Sequence, residues 1–177
     1  VLSVLWAEDG YEILAFEGSP RNVPFLEKNT ASYDKVFIHD VALHERNFKV
    51  KTRFNDCIGA EHPEQDITYR ELDEYIISND LAAPTLVKMD IEGMESVVLK
   101  KATRLIKEVR PIWQLSLHEN HGWRYDNYPA WVGVNEGGFD FSMFSSCDYQ
   151  LFDTQLNKVT ELRGFSEFIL IPSEKVK

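Results

Sequence analysis

The sequence predicts an α/β fold with a mostly parallel sheet and a closing antiparallel pair. Three observations predict it. Short apolar runs bounded by turn residues alternate with stretches of helical period, which implies right-handed crossovers between parallel strands. Tyr11–Glu17 and Thr85–Asp90 read as buried strands. Acids close several of these runs, at the carboxyl ends where open α/β sheets bind ligands.

The elements follow in order. Val1–Trp6 reads as the end of an apolar helix, stopped at Gly10, because glycine is the usual residue just past a helix end. The strand Tyr11–Glu17 is followed by Gly18-Ser19-Pro20. Ser19 suits an N-cap and Pro20 a first helical position, so a helix is expected from there to about Asn29. Lys35–Leu43 is the second strand. Residues 44–66 have no clear period and hold a possible edge hairpin, Phe48 to Phe54, then a loop with Gly59 and Pro63. Thr68-Tyr69-Arg70-Glu71 has the Thr-x-x-Glu pattern of a capping box and should open a helix through Leu72, Tyr75 and Ile76.

After the strand Thr85–Asp90, one long helix is expected. Met94, Val98, Ala102, Leu105, Ile106 and Val109 form a stripe of period 3.6, and Pro111 ends it. Ile112–Leu117 is the next strand, ending at His118-Glu119. Trp123–Trp131 is aromatic and irregular and reads as a cover or a sugar-binding wall. A short helix through Val132 and Val134 precedes Gly137-Gly138. Tyr149–Asp153 and Phe165–Ile171 form the closing antiparallel pair.

Bulk properties narrow the function. The chain has 177 residues, 44% of them hydrophobic, enough for one domain with a real core. The formal net charge of -10 argues against a nucleic-acid surface, which needs a basic stripe. The basic face of Lys100, Lys101, Arg104 and Lys107 reads as solvated surface. Two distant cysteines, Cys57 and Cys147, make a disulfide framework unexpected and point to a reducing, cytoplasmic setting. No apolar run reaches the length of a membrane span, and no signal peptide is visible. The first residue is valine, so a processed product or a fragment is expected. Oligomeric state is not legible.

The candidate chemistry lies at the strand ends. Glu17 is placed to accept hydrogen bonds from the ribose hydroxyls of an adenosine cofactor, or is a surface acid near a helix start. Asp40, with Val41 and Ala42, either holds an adenine ring or is an ordinary strand end. Asp90 and Glu92 alternate beside Gly93, where one carboxylate can bind a cationic cofactor group or deprotonate a hydroxyl. Glu95 reads as a helix-start acid. His118 and Glu119 face the same crevice, and a histidine near neutral pKa is a natural general base. His118 and His121 do not make a His-Glu-x-x-His motif and no cysteine is near, so no metal is expected.

Leu86-Val87-Lys88-Met89-Asp90-Ile91-Glu92-Gly93-Met94-Glu95, running on through Leu99-Lys100, resembles the hallmark of the FkbM-type methyltransferase family. Other matches come in the family's order. Ala15-Phe16-Glu17-Gly18-Ser19-Pro20 looks like its ribose-binding strand end, and Leu26–Asn29 like the helix after it. Val41-Ala42-Leu43, Leu72-Asp73 and Ile112–Glu119 follow. The resemblance implies a Rossmann-like methyltransferase sheet and S-adenosylmethionine as methyl donor. The cofactor would be held at Glu17, Gly18, Ser19, Asp40, Val41, Ala42 and Asp90. Catalysis would rest on Asp90, Glu92, His118 and Glu119, with methyl transfer to a hydroxyl of a sugar or small molecule.

Two departures stand out. The family's first strand, with its Asp-x-Gly-x-x-x-Gly loop, would precede Val1. A single methyltransferase-like domain over 1–177, incomplete at its N-terminus and lacking the usual first strand, is therefore expected. Gly18 stands where the family commonly has proline, which should loosen the turn. The alternatives are a catalytically inactive methyltransferase-like binding module and an enzyme of nucleotide sugars or nicotinamide.

Overall fold

The computed structural model of the chain describes residues 2–52, 64–91, 93–117, 141–160 and 166–177. The chain forms two compact units, Val1–Glu71 and Leu72–Lys177.

In the first unit, α1 (Leu2–Glu8) ends where the sequence places its stop. Gly10 takes φ +88°, its N–H donates to Ala7 C=O (3.0 Å), and Tyr11 N–H donates to Trp6 C=O (3.1 Å). These are the paired bonds of a Schellman motif. β1 (Ile13–Phe16) and β2 (Val36–His39) pair in parallel, Ile13 opposite Val36 and Phe16 opposite His39. Glu17 N–H extends the ladder to His39 C=O at 3.1 Å. α2 (Val23–Thr30) starts later than the sequence predicts. Ser19 and Pro20 lie in a turn before it, in which Asn22 N–H and Val23 N–H both donate to Ser19 C=O (2.9 and 3.2 Å). Ser19 does not cap α2, because the helix starts only at Val23 and Asn22 stands at its N-cap; Ser19 N–H donates to Glu17 Oε1.

The predicted strand Lys35–Leu43 is two strands. Val41 N–H donates to His39 C=O (2.9 Å), closing a three-residue turn around Asp40. Beyond it β3 (Ala42–Leu43) leaves β2 and pairs in parallel with β5 (Gln65–Arg70), with Ala42 opposite Tyr69. β4 (Phe48–Thr52) pairs with β5 from the other side, antiparallel, with Phe48 opposite Tyr69. Those two rings stack with centroids 4.6 Å apart, and buried His44 meets both edge-on. The rest of the predicted hairpin, Phe54, Gly59 and Pro63 included, lies outside the described residues.

The capping box is a misreading of a strand. Thr68, Tyr69 and Arg70 belong to β5, whose Ile67 and Tyr69 are buried while Asp66 is exposed. Period-2 burial between two neighbouring strands outweighs a local four-residue pattern. The N–H of Glu71 donates to Asn47 Oδ1 (2.9 Å).

The second unit opens with α3 (Leu72–Ser78). Its sheet has the order β6 (Leu86–Met89), β7 (Ile112–Leu117), β9 (Ser166–Pro172), β8 (Tyr149–Phe152). β6 and β7 are parallel; β9 lies antiparallel to both β7 and β8. The antiparallel pair expected near the C-terminus is therefore present, and it also closes onto β7. Trp113, Leu115, Phe144 and Leu170 are fully buried, with Phe144 edge-on to both Trp113 and Tyr149. α5 (Ser142–Ser145) supplies Phe144.

The single long helix expected after Gly93 is broken. α4 (Glu95–Leu99) stops at Lys100, and the chain re-enters a helix that becomes a π-helical segment, Leu105–Val109. The cause is Asp73 of α3. Its carboxylate accepts the N–H groups of Arg104 (2.6 Å) and Leu105 (3.2 Å), which an unbroken helix would send back to the preceding turn. Burial pushes the Asp73 carboxyl up, against the pull of these two N–H groups. The predicted stripe still faces inward: Val98, Ala102, Leu105 and Ile106 are completely buried. Arg110, in the left-handed region at φ 55°, ends the segment before Pro111.

The fold is thus mixed α/β. Among the described residues, parallel pairings (β1–β2, β3–β5, β6–β7) are matched in number by antiparallel ones (β4–β5, β7–β9, β8–β9), more mixed than the mostly parallel sheet expected.

Candidate functional site

The end of β1 carries Glu17, Gly18 and Ser19. Glu17 Oε1 accepts the N–H of Ser19 at 2.7 Å, so the carboxylate is folded over its own turn. Ser19 is buried. Gly18 passes close to β3: a Cβ placed on it would lie 2.6 Å from Ala42 Cβ and 2.9 Å from Ala42 Cα. No side chain fits there, so the turn is tight where the sequence comparison with the family suggested loosening. This contact joins the β1 end to the β2–β3 turn. Asp40 is exposed at the centre of that turn, while Val41 and Ala42 are buried. His39, beneath the turn, stacks on Phe16 with centroids 4.9 Å apart, and burial pushes its imidazole pKa down.

The second corner is at the end of β6. Met89 is buried and Asp90 follows it on the surface of the unit, its side chain 45% exposed. Ile91 C=O accepts Met94 N–H at 3.3 Å, and Gly93 between them takes φ +95°. Only glycine adopts that conformation without strain, which explains its place in the run. Glu95, the first residue of α4, is fully buried. Its Oε1 accepts Ile91 N–H at 2.9 Å, so a buried carboxylate pins the turn from behind. The helix-start reading of Glu95 holds for its position, and the bond to Ile91 adds a role in shaping the turn.

Lys88 joins this corner and was absent from the sequence candidates. Its Nζ donates to Ser116 Oγ and lies 3.4 Å from Asp90 Oδ2 and 3.6 Å from Glu167 Oε1. Ser116 Oγ in turn donates to Glu167 Oε1 at 3.0 Å. A partial signal existed in the sequence: Lys88 and Asp90 are two apart in a strand and so share a face. The contribution of Glu167 had no such signal, because it depends on Ser116 and Glu167 being opposite across the β7–β9 ladder.

Of the sequence candidates, the structure brings Glu17, Gly18 and Ser19 together with Ala42 in the first unit, and places Asp90 beside Lys88 in the second. Glu92, His118 and Glu119 lie outside the described residues, as do Cys57, the aromatic segment Trp123–Trp131, the expected helix through Val132 and Val134, and Gly137-Gly138. Among the described residues no group of three or more His, Cys, Asp or Glu is placed to hold a metal ion, and no helix is long and apolar enough to cross a membrane.

A solved structure, methyltransferase FkbM from Methylobacillus flagellatus KT, superposes with a TM-score of 0.52 at 20% identity. The match covers 89% of this chain and 35% of that one, so the chain spans about a third of the neighbour's length. At that identity the likeness is one of fold. No curated protein matches the chain. The family described as "Methyltransferase FkbM domain" matches residues 4–151, a span holding both corners and most of the chain. The chain belongs to the FkbM methyltransferase domain family.

Proposed function

We propose that the protein is an S-adenosylmethionine-dependent methyltransferase acting on a hydroxyl of a sugar or small molecule, through a single Rossmann-like domain. The observation that carries the reading is the β6 corner. A positive-φ glycine and a buried glutamate fix the turn, and Asp90 stands exposed beside a seated lysine. Such a corner presents a carboxylate in a defined place, which is what positioning catalysis needs.

The residues at the β1 end suit the cofactor. A carboxylate has about four acceptor positions. Among the described residues Glu17 spends one on Ser19 N–H, leaving acceptors for two ribose hydroxyls. Gly18, without a side chain, keeps the backbone low beside it. Asp40, Val41 and Ala42 would border the adenine. When bound, S-adenosylmethionine supplies an electrophilic methyl group. Asp90 would hold the cofactor's cationic end or, with Glu92, His118 and Glu119, accept the proton leaving the hydroxyl.

Equilibrium binding tests the reading. Titration calorimetry with S-adenosylmethionine should give saturable binding that Glu17→Ala weakens about tenfold, the worth of one charged hydrogen-bond site. NAD should not compete. A protein that binds NAD instead, or binds neither, is not this enzyme.

A further inference from the structure

Lys88 is far less exposed than the two acids beside it, its side chain 11% accessible against 45% for Asp90 and 43% for Glu167. An ammonium buried to that depth needs acceptors around it. Ser116 provides the fixed one. It is 1% exposed on β7, and the β7–β9 register sets it opposite Glu167. Its hydroxyl has a single hydrogen, which it gives to Glu167 Oε1 while accepting from Lys88 Nζ. The arrangement therefore has a direction, from Lys88 through Ser116 to Glu167. Asp90 Oδ2, 3.4 Å from the same ammonium, is a further acceptor.

Lysine has a long stem and many rotamers. Held only by Asp90, the ammonium and the carboxylate would move as a pair. Held by Ser116 and Glu167, the ammonium is a fixed point against which Asp90 is aligned. Glu167 lies beyond residues 4–151, so this charge comes from a strand that the family match does not include.

We propose that Ser116 and Glu167 are positioning residues for Asp90, acting through Lys88. They seat the ammonium at one point of the β6–β7–β9 sheet, and the seated ammonium holds the Asp90 carboxylate in one orientation at the strand end. The role for Asp90 rests on the methyltransferase reading; the seating of Lys88 does not.

The test has two arms. Nuclear magnetic resonance of the protein without ligand reads the seating. The Lys88 ammonium protons should exchange with water more slowly than those of exposed Lys101 and Lys107. Protection should be lost in Ser116→Ala and reduced in Glu167→Gln, with the Asp90 amide and carboxyl-carbon resonances moving in both. Exchange as fast as Lys101 in the parent protein, or an Asp90 signal indifferent to Glu167→Gln, overturns the proposal. Calorimetry with S-adenosylmethionine reads the consequence. Glu167→Gln should weaken binding about three- to tenfold, and Glu167→Asp should recover part of it. In an Asp90→Asn background the same substitution should change nothing further. An equal loss in both backgrounds overturns the proposal, since Glu167 would then act on the fold alone. If the parent protein binds no S-adenosylmethionine, the methyltransferase reading fails, and the exchange rates still decide whether Ser116 and Glu167 seat Lys88.

Discussion

At the end of β1 the turn is held by close packing of neutral atoms and one carboxylate-to-backbone bond, whereas at the end of β6 it is held largely by hydrogen bonds of charged side chains. Gly18 lies against Ala42 with no room for a methyl group. Glu95 lies fully buried beneath Ile91, and Lys88 is shared among Ser116, Asp90 and Glu167. The two corners present similar acids, Glu17 and Asp90, by different means. A steric lock tolerates no added atom but is indifferent to pH and salt. A polar lock tolerates isosteres that keep the acceptor, and fails when the acceptor is lost.

That contrast can be broken by substitution. The largest effect is expected from Glu95→Ala, which leaves a cavity and strips Ile91 N–H of its acceptor. A loss of about 3 kcal/mol in urea unfolding is expected. Glu95→Gln keeps an acceptor oxygen and should recover much of it. If Glu95→Gln is as damaging as Glu95→Ala, the corner depends on the charge itself rather than on the bond to Ile91. Next comes Gly18→Ala, where a Cβ at 2.6 Å from Ala42 must push backbone aside, at a cost of about 2 kcal/mol. The loss should be unchanged between low and high salt. A loss under about 0.5 kcal/mol would mean that the β1 turn can shift and is not sterically locked.

The smallest effect concerns pH, and extends the polar side of the comparison to the end of the second unit. Arg110 donates two bonds to Glu174, both at 2.7 Å, and holds that carboxyl at about 2, well below its ordinary 4.5. A depressed folded pKa contributes stability that is present above the unfolded value and is lost as pH falls from about 4.5 through about 2. Glu174→Gln should therefore lower the melting temperature slightly at pH 7, and the gap should close as pH approaches 2. Glu174 is half exposed, so added salt should shrink the gap as well. A gap that persists at pH 2 would show that Glu174 acts through packing.

Much of this was legible from residues alone. The stop at Gly10, the strand ends at Glu17 and Asp90, the inward stripe from Val98 to Ile106 and the antiparallel pair near the C-terminus all follow from local chemistry or period. The errors have one origin. Thr68–Glu71 has a helix-start pattern, and Thr68, Tyr69 and Arg70 lie on a strand, because pairing with β3 and β4 buries Ile67 and Tyr69. The stripe after Gly93 promises one helix, and Asp73, 31 residues before Arg104, breaks it. Ser19 looks like a cap, and it is buried in a turn ahead of α2, which starts at Val23.

The sequence by itself determined the class of fold, the acids at the strand ends and the family. These depend on composition, period and short motifs, all of which are properties of neighbours along the chain. Tertiary structure alone decided that Gly18 must be glycine, that Glu95 is a buried brace, and that Ser116 and Glu167 reach Asp90 through Lys88. Each of these depends on which residues the folded sheets bring within a few ångströms of one another. Ser116 and Glu167 are 51 residues apart, and only the register of β7 against β9 makes them partners.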